Sequence, residues 1–220
     1  MTGEVTLDAA AVLFDLDGVL VDSAAAIERS WRRWSAENGL PARAVLAACH
    51  GRPSAETIAA VAGHLDAAAE AARLEQRQAA DTAGLTRCRG AARLLAALPP
   101  EHWAIVTSGS RPLAISRLRA ARLPVPDVLV TADDVTEGKP APEGYLRAAV
   151  RLGVPPGRCV VVEDSASGVR AGRAAGCRVI GVAGDQLGGE PDVVVSSLAD
   201  LTARRAGDEV ALHVAATAHV

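Results

Sequence analysis

The sequence has few aromatic residues, little net charge and no long apolar run, and each shortage argues against a class of protein. Aromatic residues make up 2% of the 220 residues, so we expect an aliphatic, alanine-rich core. The formal net charge of −3 gives no reason to expect a nucleic acid or an anionic membrane as a partner. No apolar stretch reaches the roughly 18 residues that a membrane-spanning helix needs. The first ten residues also lack a signal-peptide pattern.

The cysteines show no spacing typical of a disulfide framework or of a zinc site. There is no Cys-x-x-Cys pair, and the four cysteines are widely separated: Cys49, Cys88, Cys159 and Cys177. We therefore expect reduced thiols, and the sequence as a whole predicts a soluble cytoplasmic protein.

A short apolar run near the start of the sequence is followed by a cluster of acids. Residues 11–14 read AVLF, which predicts a strand buried on both faces. Asp15, Asp17 and Asp22 follow within the next eight residues. Charged groups at the carboxyl end of a parallel strand lie where open α/β sheets bind their ligands. The pattern favours oxygen ligands for a hard cation over a packing role.

The rest of the chain divides into a helical block and a region of alternating strands and helices. Residues 23–86 are helical in character throughout, with helices predicted over 24–37, 54–65 and 67–80 and no strand. From Cys88 onwards, helices predicted over 91–98, 112–121, 143–152 and 167–175 alternate with strands. These strands are predicted over 103–106, 128–130, 159–162, 178–182 and 193–195. The alternating stretch 209–214 is typical of an edge strand.

This alternation predicts an α/β fold. We expect a Rossmann-like, three-layer α/β/α core with a mostly parallel sheet, and an α-helical cap inserted into it. The predicted domains are a core formed by residues 1–18 and 88–220 and a cap formed by residues 19–87.

Polar residues follow three further strands. Thr107, Ser108 and Gly109 form a hydroxyl-rich loop that enters a helix, so they could either bind a phosphate or simply cap that helix. Lys139 lies between a glycine and two prolines that restrict the backbone, although a solvated loop lysine is the alternative. Glu163 and Asp164 follow a buried valine run. Two acidic clusters at one sheet edge would repel each other unless a cation neutralised them.

Four segments in this order resemble the four motifs of the haloacid dehalogenase-like (HAD) hydrolase superfamily, and they read DLDGV, VTSGS, GKPAPEGYL and VVVEDSASGVRAGRAAG. The position of the helical insertion resembles the small cap of subfamily IA. The resemblance covers essentially the whole chain. It is greatest to the sugar- and polyol-phosphate phosphatases, the group that contains 2-deoxyglucose-6-phosphatase and glycerol-1-phosphatase, and it extends into the cap segment HGRPSAETI.

The resemblance implies a role for each matching residue. Asp15 would be the nucleophile that forms an aspartyl-phosphate. Asp17 would protonate the leaving group and then deprotonate the attacking water. Thr107 and Lys139 would complete the catalytic set, with Lys139 offsetting negative charge.

Metal and substrate ligands are also implied. Mg²⁺ would be held by Asp15, the backbone carbonyl of Asp17, Glu163 and Asp164. The loop with Ser108 and Gly109 would bind the phosphoryl group.

The cap loop would meet the substrate through His50, Gly51 and Arg52. Here two interpretations stay open: His50 and Arg52 bind substrate hydroxyls, or His50 ends a helix and Arg52 is solvated. Trp31 and Trp34 could line the pocket, but their spacing is more typical of one helix face packing on its neighbour.

The implied function is a Mg²⁺-dependent phosphomonoesterase for small sugar or polyol phosphates, a monomer or weak dimer without nucleic-acid or membrane partners. A phosphoglycolate phosphatase and a β-phosphoglucomutase-like enzyme are alternatives, but the mutases typically have a histidine where this chain has Ile27. A phosphonatase would need a cap lysine, and residues 18–86 contain none. A non-catalytic binding or regulatory protein of the same fold would be favoured by the loss of Asp15, Asp17 or Asp164, and all three are present.

Overall fold

Strands and helices alternate along most of the chain. The structure is a computed structural model and describes residues 5–49, 51–182, 187, 190–207 and 209–215. Its strands are β1 (Val5–Ala9), β2 (Ala11–Phe14), β3 (Val21–Asp22), β4 (Thr86–Arg87), β5 (Trp103–Val106), β6 (Leu129–Val130), β7 (Cys159–Glu163), β8 (Arg178–Val182), β9 (Val193–Val195), β10 (Leu201–Ala206) and β11 (Glu209–Val214). Its α-helices are α1 (Ala24–Glu37), α2 (Ala42–Cys49), α3 (Ser54–Val61), α4 (Ala67–Ala80), α5 (Ala91–Ala97), α6 (Arg111–Ala120), α7 (Glu143–Leu152) and α8 (Ala166–Ala174).

The central sheet contains parallel strands in the order β6-β5-β2-β7-β8-β9. Val12 and Phe14 of β2 belong to the apolar cluster on one face, whereas Ala11 and Leu13 belong to the cluster on the other face. Because both faces are covered, β2 contains no polar residue, which explains the continuous apolar run in the sequence. The predicted three-layer α/β fold with a parallel sheet is confirmed.

Most predicted element bounds agree with the structure, and α3 is the main exception. The match is complete for the elements predicted over 24–37, 67–80, 103–106, 143–152, 178–182 and 193–195. The helix predicted to run to residue 65 ends at Val61 instead. Ala62 leaves the helical conformation with φ −146° and ψ 52°, and a glycine follows it.

The helices α1 to α4 lie between β2 and β5 in the chain and pack around an apolar cluster of their own. This cluster contains Trp31, Trp34, Ile58 and Leu74. The two indole rings meet edge to face, with centroids 5.5 Å apart and an interplanar angle of 86°. Both tryptophans thus pack against each other and their neighbours, and Trp31 in addition lines the pocket, whereas Trp34 does not.

A short two-stranded antiparallel sheet joins the two ends of the helical insertion. Strand β3 pairs with β4, so that Val21 faces Arg87 and Asp22 faces Thr86. The prediction that residues 23–86 contain no strand is therefore wrong at its last residue. A strand of two residues is too short to show the alternation of apolar and polar residues by which strands are predicted.

A second sheet is antiparallel and has the order β1-β11-β10. The stretch 209–214 is a strand, as predicted, but it is the middle strand rather than an edge strand. Val5 pairs with Val214 on one side, and Leu201 pairs with the same residue on the other. The side chains of Val210 and Leu212 are fully buried because they pack into the same apolar cluster as Val12 and Phe14.

Among the described residues, no helix combines the length and the apolar composition needed to cross a membrane. The four cysteines are free thiols.

Candidate active site

Three neighbouring parallel strands bring the predicted site residues to one edge of the sheet. Asp15 directly follows β2, and Thr107 directly follows β5 on one side of it. Asp164 directly follows β7 on the other side. Residues far apart in the sequence therefore meet because the carboxyl ends of β5, β2 and β7 are adjacent.

Lys139 lies at the centre of a buried network. Its Nζ donates to Oδ1 of Asp15 at 2.5 Å, to Oε1 of Glu163 at 2.6 Å and to the carbonyl of Val106 at 3.2 Å. Burial would lower the pKa of this ammonium group, but the two carboxylates outweigh burial and raise the pKa above its ordinary value. Lys139 is thus held as a fixed positive charge, and the alternative of a solvated loop lysine is wrong.

Glu163 is fully buried, and donors occupy both of its carboxylate oxygens. Oε1 also accepts from the Tyr145 hydroxyl at 2.8 Å. Oε2 accepts from the amides of Asp164 and Ser165 at 3.0 and 3.1 Å, and from the Ser165 hydroxyl at 3.0 Å. A carboxylate offers about four lone-pair positions. The hydrogen bonds of Glu163 therefore leave little capacity for a direct metal bond.

Asp15, Glu163 and Asp164 form an acidic group. One carboxylate oxygen from each lies within 4.8 Å of the others. Burial raises the pKa of Asp15 well above its ordinary value; Lys139 opposes this rise, and the neighbouring carboxylates add to it. Burial and the nearby Glu163 raise the pKa of Asp164 to about 7. One lysine does not balance these carboxylates, so the group has the electrostatics of a cation site.

The backbone at Gly18 leaves room for Asp164. Gly18 has a φ of +84°, and a Cβ there would lie 1.8 Å from Oδ2 of Asp164. Only glycine tolerates both the left-handed backbone and this close approach. The Asp164 carboxylate therefore reaches the loop that carries Asp17, as a cation bound between them would require. The donor set and this space fit a hard, oxygen-preferring ion.

Asp17 is held apart from that acidic group by two donors. The Ser23 hydroxyl donates to Oδ1 at 2.6 Å, and the buried Arg117 of α6 donates to Oδ2. The other guanidinium nitrogen of Arg117 donates to Oε1 of Gln78 at 3.2 Å. Sequence reasoning missed Arg117. Its place four residues after Leu113, and so on the same face of the helix as that apolar residue, was a usable signal.

The loop after β5 contacts the helical insertion. The amide of Gly109 donates to the Thr107 hydroxyl at 3.2 Å, and the amide of Ser110 donates to Oε2 of Glu75 at 2.9 Å. The Ser108 hydroxyl lies 3.4 Å from the carbonyl oxygen of Gly51. Glu75 lies on α4, and sequence reasoning did not single it out.

The cap loop is fixed at Gly51. Its carbonyl accepts from the Ser167 hydroxyl at 3.0 Å. Its φ is +68°, and a Cβ would lie 2.2 Å from Oγ of Ser167. Arg52 is exposed and lines a cavity that Asp15 and Asp164 also line. His50 lies outside the described residues.

A cavity of about 400 Å³ connects these groups. Asp15, Asp17, Thr107 and Asp164 line it together with Ser108 and Gly109. Its apolar wall includes Ile27, Trp31, Leu46 and Leu113. The sheet edge thus supplies carboxylates and donors, and the helical insertion supplies a mixed polar and apolar wall.

The model of the haloacid dehalogenase-like hydrolase family matches residues 9–176. The chain belongs to this family. Hexitol phosphatase A of Escherichia coli K12 is 46% identical over 198 residues, covering 86% of this chain and 92% of that protein. Glycerol-1-phosphate phosphohydrolase 1 of Saccharomyces cerevisiae is 32% identical, covering 83% and 78%. A CbbY variant of Rhodobacter sphaeroides, crystallised with xylulose 1,5-bisphosphate, matches with a TM-score of 0.74 and 29% identity, covering 88% and 96%.

Proposed function

We propose that this HAD-like protein is a phosphatase that hydrolyses phosphate monoesters of small sugars or polyols. The observation that carries the proposal is the pair formed by Asp15 and Lys139 at the end of β2. It places a carboxylate nucleophile and a fixed cation beside a cavity that also holds Asp17. The similarity to hexitol phosphatase A and to glycerol-1-phosphate phosphohydrolase 1 supports the substrate class.

In the first half of the reaction, Asp15 would attack phosphorus and displace the alcohol. Lys139 binds Oδ1 of Asp15, so the other oxygen of the carboxylate forms the new O–P bond. The bond from phosphorus to the ester oxygen breaks, and Asp17 donates a proton to the departing alkoxide. The products are the free alcohol and an aspartyl-phosphate at Asp15.

In the second half, water would attack the aspartyl-phosphate. Asp17, now a carboxylate, accepts a proton from that water. The O–P bond to Asp15 breaks, orthophosphate leaves, and both carboxyl groups return to their starting states. Lys139 keeps one positive charge beside Asp15 throughout, which stabilises the anion that leaves phosphorus.

A divalent cation, Mg²⁺ in our proposal, would be held by Asp15, Asp164 and the backbone carbonyl of Asp17. When bound, it supplies positive charge that reduces the repulsion between an anionic nucleophile and an anionic phosphate. We assign Glu163 a different role from the ligand role that the resemblance implied. Its oxygens are taken by Lys139, Tyr145 and the loop after β7, so Glu163 orients Lys139.

Thr107, Ser108 and Gly109 would bind the phosphoryl oxygens through a hydroxyl and backbone amides at the entry to α6. Arg52, at the rim of the cavity, would contact the remainder of the substrate, and we keep the same expectation for His50. The apolar cluster of α1 to α4 supports the division into a core of residues 1–18 and 88–220 and a cap of residues 19–87. The free cysteines support a cytoplasmic location.

The alternatives differ in what they need from the cavity. A β-phosphoglucomutase-like activity is disfavoured because Ile27, an alkyl side chain, lines the cavity where a histidine would assist proton transfer. A phosphoglycolate phosphatase would use the same core residues, so substrate preference separates it from the proposed activity.

The test is phosphate release from a panel of phosphate esters, with and without Mg²⁺. We expect Mg²⁺-dependent turnover that is fastest on hexitol or glycerol phosphates, and a loss of about three orders of magnitude or more in Asp15→Asn. A preference for phosphoglycolate would keep the chemistry and overturn the substrate class. Wild-type turnover in Asp15→Asn would overturn the nucleophile, and silence of the wild type on every ester would overturn the phosphatase proposal.

A further inference from the structure

Two polar side chains of α4 line the same cavity as the proposed nucleophile. Glu75 and Gln78 are three residues apart, so they share one face of the helix. Neither belongs to a motif of the core, and their hydrogen bonds go to Ser110 and Arg117 rather than to Asp15. A carboxylate and a carboxamide therefore face the space that a substrate would occupy.

Glu75 is a nearly buried carboxylate with spare acceptor capacity. Its exposed fraction is 8%, and Oε2 accepts from the Ser110 amide at 2.9 Å. Within the described part of the chain, no other group donates to it and no arginine or lysine pairs with it. A buried carboxylate with one donor is unfavourable unless further donors reach it. Because Glu75 lines the cavity, a bound ligand can supply them.

Gln78 is oriented by Arg117. A guanidinium group only donates hydrogen bonds, so it fixes Oε1 of Gln78 towards Arg117, at 3.2 Å. The amide N–H groups of Gln78 therefore point away from Arg117. Glu75 thus offers an acceptor and Gln78 a donor, one helical turn apart. A hydroxyl group both donates and accepts, so neighbouring hydroxyls of one chain match this pair.

The negative charge of Glu75 also decides what the pair rejects. The proposed phosphate site lies at Asp15 and Thr107, and a second anionic group further along the substrate would approach Glu75. Like charges repel more strongly beside a nearly buried carboxylate such as Glu75 than they do in bulk water. Two cations also line the cavity, but Arg117 donates to Asp17 and Gln78 rather than to Glu75. The other, Arg52, is exposed, so that solvent screens its charge.

We propose that Glu75 determines substrate specificity: it accepts hydrogen bonds from the hydroxyls of a neutral polyol chain and disfavours esters whose tail carries a carboxylate or a second phosphate. Gln78 donates to the same hydroxyls. This inference rests on the proposed phosphatase function and names the part of the substrate that the cap reads.

The experiment compares kcat/KM for sorbitol 6-phosphate, n-hexyl phosphate and phosphoglycolate, each relative to p-nitrophenyl phosphate, in the wild type and in Glu75→Gln. The glutamine keeps an oxygen for the Ser110 amide and removes the charge. We expect the relative value for sorbitol 6-phosphate to fall about tenfold, mainly through KM. The value for phosphoglycolate should rise about tenfold, and that for n-hexyl phosphate should change little.

Glu70→Gln is the matched control. It makes the same charge change on the same helix, but Glu70 pairs with Trp34 and Arg73 and does not line the cavity. An equal shift in both variants would mean that net charge alone acts, and would overturn the proposal. Unchanged ratios in Glu75→Gln, with wild-type turnover of sorbitol 6-phosphate intact, would also overturn it while leaving the proposed function standing. A wild type inactive on all four esters would instead refute the proposed function.

Glu75→Asp separates charge from reach and replaces Glu75→Gln if that variant does not fold. Aspartate keeps the charge but is one methylene shorter. We expect it to lose affinity for sorbitol 6-phosphate and to keep the discrimination against phosphoglycolate. An Asp variant that accepts phosphoglycolate tenfold better would contradict the electrostatic part of the proposal.

Discussion

Arg117 of α6 donates a hydrogen bond to Oδ2 of Asp17, so a buried guanidinium holds the proposed proton donor from the side of the core. The Ser23 hydroxyl holds the other oxygen. Together they fix both oxygens of a carboxylate that must meet the leaving group. Arg117 is therefore a positioning residue in the proposed reaction, because it acts through Asp17.

Arg117→Gln should slow the hydrolysis of alkyl phosphates by about tenfold to a hundredfold. The loss on p-nitrophenyl phosphate should be much smaller, because nitrophenolate leaves without protonation. Paired kcat measurements on both esters test this. Arg119→Gln, an exposed arginine on the same helix, serves as the control. Equal losses on the two esters would mean that Arg117 only supports the fold.

Gly18→Ala and Gly176→Ala separate backbone strain from the loss of space at the site. The two glycines have φ angles of +84° and +81°, but only at Gly18 would a Cβ collide with Asp164. Both variants should lose about 1–2 kcal/mol in the free energy of unfolding. Only Gly18→Ala should also lose Mg²⁺-dependent turnover. Urea unfolding and phosphate release measure the two effects, and a loss of turnover in both variants would contradict this explanation.

Mg²⁺ should stabilise the protein through Asp164. A ligand that binds the folded state at a hundred times its Kd contributes about 2.7 kcal/mol, so the melting temperature of the wild type should rise on adding Mg²⁺ and fall again with a chelator. Asp164→Asn should lose that rise. Asp22→Asn, an exposed acid in β3, should keep it. A full Mg²⁺ effect in Asp164→Asn would remove this residue from the ligand set.

Asp134 should make part of the stability depend on pH. Partial burial raises the pKa of Asp134, but hydrogen bonds from Arg151 and Thr131 outweigh it and hold the pKa below its ordinary value. Arg111 at the start of α6 also pairs with this carboxylate, at 2.8 Å. A lowered folded-state pKa means that the stabilisation is complete above the unfolded-state pKa of about 4 and is lost as the pH falls further.

We therefore expect Asp134→Asn to cost about 1–3 kcal/mol at pH 7, and to cost less at pH 3. Denaturant unfolding of both proteins at the two pH values gives the difference. The exposed Asp127→Asn should show no comparable cost at either pH. A deficit of the same size at pH 3 and pH 7 would show that the ionised carboxylate is not the cause.

The parallel core could be predicted because its signals are local. Strand β5 consists of buried apolar residues bounded by polar ones, and its predicted bounds agree with the structure. The antiparallel sheet could not be placed in the same way. Val5 pairs with Val214, at the other end of the chain, and β10 exposes most of its side chains, so it shows no apolar run. Long-range pairing of this kind leaves no trace in a short window.

The site residues also differ in how far the sequence predicts their positions. Asp15 and Asp164 follow apolar strands, so their position at the sheet edge follows from the pattern alone. Glu75 and Arg117 sit inside helices, where polar residues are ordinary and only packing decides which of them are buried. Glu163 adds a third case: its residue type suggested a metal ligand, but its hydrogen bonds point to an orienting role, and spacing cannot distinguish the two.

Lys139 has a practical consequence for chemical modification of this protein. It is the only lysine in the sequence. All the other residues among the 23 lysines and arginines are arginines. The residue is 6% exposed, and Asp15 and Glu163 hold its amine as an ammonium group, so acylating reagents that need a free amine meet no reactive lysine on the folded surface. The α-amino group is then the other amine that such reagents modify, so acylation mapped to Lys139 itself would report on opening of the proposed active-site cavity.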